Sequence, residues 1–286
     1  MDFQLAEEQR ALKSGMRELL AARFDRDALR AAVDRPAVDR ALWRALGEAG
    51  FFALRLSEKE GGVGLGLPEA ALLFEEAGRA LLPGPLVATH LAAREVPGAA
   101  TGETVVTRVD GPLVAWLDQA DLVQGDAVDA TPIRSLDPLT PLHRTTGTRT
   151  DAPHEAVLLT AAEQLGSAAR TTELAVQHAR QRAQFGQAVG AFQAVKHLCA
   201  DMLVRTEVAR AAVYAAAVTG DPYEIAGAKL LADEAAVRCA RDCLQVHGGM
   251  GFTWEADVHL HLKRAWVRSE QWQSAEQAAE ALAAAL

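Results

Sequence analysis

This 286-residue sequence contains few cysteines and has no net positive charge. The three cysteines, Cys199, Cys239 and Cys243, are too few for a disulfide framework, which favours a reducing compartment. Cys239 and Cys243 have no further cysteine or histidine at ligand spacing, so we interpret them as small core residues and predict no metal site. The net charge is −9, whereas nucleic-acid-binding proteins are more often basic, and we therefore expect no nucleic-acid partner.

Long apolar runs are missing as well, and none reaches the length that spans a membrane. The first residues, MDFQLAEEQRALKSGM, are acidic and amphipathic, unlike a signal peptide. We expect a soluble, cytoplasmic protein without a membrane partner. Aromatic residues make up only 5% of the chain while alanine is abundant, a composition that favours helices packed through small side chains.

The residue pattern changes twice along the chain. Residues 1–98 have the apolar spacing of helices, and residues 99–153 are rich in β-branched and turn residues, including Asp110-Gly111. Residues 154–286 return to helical spacing, interrupted by glycine-rich breaks and a turn before Pro222. The last of these helices is predicted over roughly 255–284. The fold class is therefore mainly α with a small β insert: an N-terminal helical domain, a short β domain and a C-terminal four-helix bundle.

Two breaks between these helices have an unusual composition. The stretch Arg180–Gln193, RQRAQFGQAVGAFQ, carries arginines, glycines and phenylalanines but no acid, and Gln245–Phe252 reads QVHGGMGF. In an antiparallel bundle the two breaks can lie at the same end. Together they would offer a cation, amide side chains and bare backbone N–H groups, a combination that suits a pyrophosphate.

These two stretches resemble the acyl-CoA dehydrogenase family of flavoproteins. The family pattern is R-x-x-F-G-x-x-[IVL]-x-x-x-Q followed by A-D-M, and later Q-x-x-G-G-x-G. The matching residues are Arg182, Phe185, Gly186, Val189, Gln193, Ala200, Asp201, Met202, Gln245, Gly248, Gly249 and Gly251. The resemblance extends more loosely over the N-terminal half, and the family's order of domains agrees with the one described above.

The resemblance implies oxidation of an acyl-CoA thioester with FAD as cofactor. In this family, both motifs belong to the subunit opposite the one that holds the flavin ring. They would therefore contact the pyrophosphate and adenosine of an FAD bound to a neighbouring chain. The residues implied are Arg182, Gln184, Phe185, Gln193, Gln245, Gly248 and Gly249.

The catalytic base of the family is not found at its usual position. It lies 24 residues beyond the first glycine of the Gly-Gly pair, and counting from Gly248 reaches Trp272. A second branch of the family places it 26 residues before the motif arginine, which here is Ala156. Glu155 and Glu270 are close to these positions and remain weak candidates, because element boundaries read from one sequence are uncertain by a few residues.

The β segment is also about half as long as the family's, and it lacks a recognisable flavin-binding segment. Some bacterial members are α2β2 heterotetramers that degrade steroid side chains, in which one chain is shortened and has no base. This sequence resembles that shortened chain, which implies a homologous catalytic partner that binds most of the acyl-CoA. Two alternatives stay open: a self-sufficient homo-oligomeric dehydrogenase with a relocated base, and a flavin-free scaffold or binding protein.

Overall fold

The computed structural model describes residues 4–147 and 151–285. Helices occupy both ends of the chain and five short strands lie between them, which confirms the predicted class, mainly α with a small β insert. The first five helices lie within residues 1–98. Their bounds are α1 Glu7–Arg23, α2 Arg26–Asp34, α3 Arg40–Glu48, α4 Leu67–Arg79 and α5 Leu86–Ala92.

Two of the N-terminal helices begin at acidic caps, and an aromatic core packs behind them. The carboxylate of Asp25 accepts the Ala28 N–H at the start of α2, and Asp39 caps α3 in the same way. Behind these caps, a group of aromatic residues is buried in one core. The largest of them are Trp43, Phe51, Phe52 and Phe74.

The β insert consists of two small sheets. The five strands are β1 Val106–Arg108, β2 Leu113–Ala115, β3 Leu122–Gln124, β4 Thr131–Ile133 and β5 Leu142–Arg144. β1 pairs with β3 in parallel, and β2, β5 and β4 form an antiparallel sheet in that order. The strands on either side of the Asp110-Gly111 turn therefore belong to different sheets.

Five helices follow the insert. They are α6 His154–Gln181, α7 Gln193–Thr219, α8 Pro222–His247, α9 Val258–Arg268 and α10 Ala275–Ala283. The prediction of one final helix over 255–284 is wrong, because a turn separates α9 from α10. In this turn Trp272 has a φ of 62°, a left-handed conformation that a helix does not continue through.

Helices α4 and α6 touch through their backbones. A Cβ atom on Gly78 would overlap the carbonyl of Glu163, and one on Gly166 would overlap the carbonyl of Glu75. The contact joins the N-terminal helices to the C-terminal bundle without intervening side chains. Glycine is therefore needed at both positions because the two helix backbones approach each other closely there, and not because of the backbone conformation.

Several classes of feature are absent from the described residues. In residues 4–147 and 151–285, no helix combines the length and apolar character needed to cross a bilayer. No group of three histidine, cysteine or acidic side chains in these ranges is placed to hold a metal ion. Cys239 and Cys243 are buried, and all three cysteines are free thiols.

Candidate cofactor-binding surface and the base position

The two glycine-rich breaks lie at the same end of the bundle. His178, in the last turn of α6, stacks on His247, the last residue of α8, with ring centroids 4.1 Å apart. The Nδ1 atom of His247 lies 2.8 Å from the carbonyl oxygen of Cys243, so this ring also forms a hydrogen bond with the backbone in the last turn of α8. Burial lowers the pKa of His178, and the neighbouring His247 and Arg182 lower it further. The stacked rings thus hold the two breaks together.

A two-residue hairpin projects from the first break. Strands β6, Ala183–Gln184, and β7, Gln187–Ala188, pair across Phe185 and Gly186, whose φ angles are 53° and 80°. Two consecutive left-handed residues are the signature of a tight turn that matches the twist of its strands, and glycine meets this requirement without strain. Phe185 at the tip is 91% exposed, with its ring 6.0 Å from that of Phe192.

All the residues predicted to contact a neighbour's cofactor lie on the outside of the chain. These exposed residues are Arg182, Gln184, Phe185, Gln193, Gln245, Gly248 and Gly249. A Cβ built on Gly248 or Gly249 meets nothing within 4 Å, so open space adjoins this backbone. We call this set the clamp surface. Its side chains and backbone are accessible to a molecule bound outside this chain.

The clamp surface contains several groups of the kinds that bind phosphate in proteins. Arg182 supplies a guanidinium directly at the end of α6, and Gln184 supplies an amide on the hairpin. Helix α7 begins at Gln193 in the same segment, and no side chain caps its first N–H groups. Unpaired N–H groups and a guanidinium are the groups that bind phosphate oxygens in proteins.

The position that the residue count assigns to the family's base holds a buried tryptophan. Trp272 is 7% exposed, and its backbone N–H donates to the Asp110 carboxylate at 2.7 Å. The side chain lines a cavity of about 60 Å³ between the β insert, α6 and α9. Small-molecule sites usually have several hundred Å³, so this cavity is smaller than such sites usually are.

Two buried ion pairs, which the sequence did not reveal, form one wall of this cavity. Arg268 donates to Glu163 at 2.6 Å, and Arg264 pairs with Asp137. Burial raises the pKa of Glu163 and lowers that of Arg268 to about 10. The sequence signal for these pairs was the spacing of Arg264 and Arg268, since two residues four apart lie on the same face of a helix.

The two weak candidates for a base lie elsewhere. Glu155, in the first turn of α6, accepts a hydrogen bond from Arg55 at 2.9 Å, and this bond holds the pKa of Glu155 below its usual range. It lines a separate cavity with His90, whose pKa burial lowers to about 4. Glu270 is exposed in the turn after α9. Neither carboxylate is among the residues that line the Trp272 cavity.

Comparisons with known proteins identify the same family at both ends of the chain. Residues 6–101 match the family described as acyl-CoA dehydrogenase, N-terminal domain, and residues 154–271 match acyl-CoA dehydrogenase, C-terminal domain. The chain is 36% identical to the acyl-CoA dehydrogenase IpdE2 of Mycobacterium tuberculosis (strain ATCC 25618 / H37Rv) over 290 aligned positions, which cover 91% of each protein.

Two solved structures share the fold. The ChsE4-ChsE5 complex from Mycobacterium tuberculosis matches with a TM-score of 0.85 at 24% identity, over 99% of this chain and 98% of that one. A variant of the Tcur3481-Tcur3483 steroid ACAD matches with a TM-score of 0.84 at 24% identity, over 97% of both chains. From the two domain matches and the full-length relative, the chain belongs to the acyl-CoA dehydrogenase family.

Proposed function

We propose that this chain is the non-catalytic subunit of an FAD-dependent acyl-CoA dehydrogenase. It contributes contacts to the pyrophosphate and adenosine of an FAD whose ring is held by a homologous catalytic subunit. The observation that carries the proposal is a contrast within one chain. The clamp surface is exposed and intact, whereas the base position holds buried Trp272 beside a cavity of about 60 Å³.

Each part of the clamp surface has a role in this proposal. The guanidinium of Arg182 pairs with the pyrophosphate, and the bare backbone at Gly248 and Gly249 allows the nucleotide to approach closely. Gln184, Gln193 and Gln245 offer amide groups to the adenosine half. The exposed ring of Phe185 is buried against the partner when the two chains assemble, since an apolar side chain of this size gains from losing contact with water.

The reaction itself is assigned to the partner subunit. Bound FAD would accept the hydride from the acyl-CoA, and the partner would supply the carboxylate that removes the α-proton and most of the acyl-CoA site. Trp272 has no group that can accept this proton, and the carboxylate of Glu155 is ion-paired with Arg55, which lowers its pKa and makes it a weaker base. This chain alone is therefore proposed to be inactive.

The relatives suggest the assembly and the substrate class. Both structural neighbours are named as pairs of chains, and one of them is named a steroid ACAD. We therefore propose an α2β2 complex in the cytoplasm that acts on a bulky, ring-bearing acyl-CoA. The acidic chain, with its three free thiols, suits a reducing compartment.

The test is to produce the chain alone and together with the product of the neighbouring dehydrogenase-like gene. Molecular mass and flavin absorbance are recorded for both preparations. We expect flavin only in the mixed complex, at one FAD per pair of unlike chains. A lone chain that binds flavin and assembles with itself would instead establish a homo-oligomeric enzyme, and a mixed complex without flavin would establish a scaffold.

A further inference from the structure

Helix α7 carries an apolar stripe on its outer face. Alanines and valines recur there every three or four residues, the spacing that places side chains on one face of a helix. All of them are exposed except Ala215, which is half-buried: Ala200, Val204, Val208, Ala211, Ala215 and Val218. The side chains of Val204 and Val208, in the middle of the stripe, are 61% and 48% exposed. A continuous apolar face of this kind marks a surface that another molecule covers.

The adjoining helix α8 has a different outer face. Its exposed residues after Leu231 include Glu234, Arg238 and Arg241, and the Arg238 Nε atom lies 2.8 Å from the Glu234 carboxylate. Charged side chains of this kind are well solvated in water. Of these two neighbouring helices, α7 is therefore the one whose middle turns gain free energy from losing contact with water.

Ion pairs on both sides of α7 fix the orientation of the stripe. On one side Arg205 pairs with Asp242 of α8 at 2.6 Å, and on the other side Arg210 pairs with Glu75 of α4. The helix is thereby held against two neighbours, with the stripe directed outwards. A surface that is already in place loses little conformational entropy when a partner binds to it.

The charges on the α4 side of the stripe suit pairing with a second copy of the same surface. Glu207 and Arg210 lie three residues apart on this side, with their side chains 3.3 Å from each other. They stand on either side of the level of Val208 along the helix. A two-fold rotation through this level, perpendicular to the helix, brings the glutamate of one copy opposite the arginine of the other.

The charges on the α8 side have the same arrangement. Helix α8 runs antiparallel to α7, and the Cys239 sulfur lies 3.8 Å from the Thr206 hydroxyl. Glu234 and Arg238 therefore also stand on either side of the level of Val208. The same rotation brings Glu234 of one copy opposite Arg238 of the other, so the surface is complementary to itself on both sides of the stripe.

We propose that this chain associates with a second copy of itself through α7, with the two α7 helices antiparallel and Val208 beside the two-fold axis. The two apolar stripes cover each other, and glutamate faces arginine along both edges. The clamp surface is a separate site, because Gln193 precedes Val208 by 15 residues, or about 22 Å of helix. Self-association therefore requires neither FAD nor the proposed catalytic subunit.

The first test measures the mass of the chain alone by analytical ultracentrifugation over a range of protein concentrations. We expect a dimer, and Val208→Lys should weaken it about a hundredfold by placing two like charges beside the axis. The matched control is Val128→Lys, which changes a valine of the β insert that is 54% exposed, and it should leave the dimer unchanged. A monomer throughout the range, or an equal effect of the two substitutions, would overturn the proposal.

Disulfide formation tests the same geometry and covers the case in which Val208→Lys does not fold. Val208→Cys should cross-link two copies under mild oxidation, because a residue beside the axis is within the roughly 7 Å between Cα atoms that a disulfide can span. Val218→Cys, on the same stripe, should not cross-link, since antiparallel helices place the two copies of this residue about 30 Å apart. The unaltered chain, with its three free thiols, gives the background. Cross-linking of both variants, or of neither, would contradict the antiparallel pairing.

The mixed complex separates this proposal from the proposed function. There Val208→Lys should halve the mass of the complex and leave the FAD content per pair of unlike chains unchanged, because the clamp surface is unaltered. If the variant instead loses the catalytic subunit, that subunit covers α7 and the second copy does not. If no mixed complex forms at all, the proposed function fails, while the measurements on the chain alone still decide the self-association.

Discussion

The imidazole of His178 stacks on that of His247, with the ring planes 28° apart, and so joins the ends of α6 and α8. Arg182 follows four residues after the first ring, and Gly248 directly follows the second. Two motifs far apart in sequence thereby form one exposed surface. This geometry supports the idea that they bind a single ligand.

Replacing Arg182 with Ala should lower the FAD content of the co-produced complex while leaving this chain folded. The side chain is exposed, so its loss removes a pyrophosphate contact and little packing. FAD content is measured from the ratio of flavin to protein absorbance after gel filtration. Arg238→Ala is the matched control, an exposed arginine outside the clamp surface. Equal FAD retention in the two variants would contradict the proposed contact in trans.

Replacing Glu155 or Glu270 with Gln should leave turnover of the complex nearly unchanged. Glu155 is held by Arg55, and Glu270 is exposed away from the Trp272 cavity. Steady-state rates of acyl-CoA oxidation are compared at saturating substrate. A loss of several orders of magnitude in either variant would identify that carboxylate as a base and would favour the self-sufficient enzyme.

Replacing Gly166 with Ala should destabilise the chain by about 3 kcal/mol, because the new Cβ overlaps the Glu75 carbonyl and forces α4 and α6 apart. Gly227, in the middle of α8, is the control, since a Cβ there meets nothing within 4 Å. Gly227→Ala should stabilise by about 0.5–1 kcal/mol. Urea denaturation gives both values, and a similar effect of the two substitutions would show that the helices do not touch as described.

Replacing His90 with Asn should reduce the sensitivity of the fold to acid. Burial lowers the pKa of His90 from its usual 6.5 to about 4, so its neutral form stabilises the fold above pH 6.5. This contribution declines as the pH falls from 6.5 towards 4, because the unfolded chain takes up a proton that the folded chain does not. His90 should account for about 2 kcal/mol of the stability lost between pH 7.5 and 5.

The asparagine at position 90 can keep the hydrogen bond that His90 Nδ1 makes with the Phe51 carbonyl, so the comparison isolates the titration. His197→Asn, which changes an exposed histidine on α7, is the control and should follow the unaltered protein. The free energy of unfolding is measured by urea at several pH values. Parallel curves for His90→Asn and the unaltered chain would mean that His90 does not stay neutral in the fold.

Much of the fold followed from local patterns. The start of α8 at Pro222 and its end at His247 are encoded by neighbouring residues, an Asp221 cap and a following glycine pair. The close position of the two breaks followed from short loops in an antiparallel bundle. The domain boundaries at 98 and 153 and the roles of the clamp residues stay predictions.

Other features depend on partners distant in sequence. The strands of the β insert have only three residues each, too few to specify pairing, and β1 pairs with β3 instead of β2. The break between α9 and α10 depends on Asp110, which holds the Trp272 N–H from the β insert. The pairing of Arg268 with Glu163 likewise joins residues on two helices, and no local pattern contains it.

Trp272 also determines what would be needed to give this chain a catalytic base. A glutamate at this position would share a cavity with the carboxylate of Glu163, which would raise its pKa, and with the guanidinium of Arg268, which would lower it. Its ability to accept a proton would therefore depend on several neighbouring side chains. Restoring a base would therefore need coordinated changes at several positions, so under the proposed function no single substitution would free this chain from its catalytic companion.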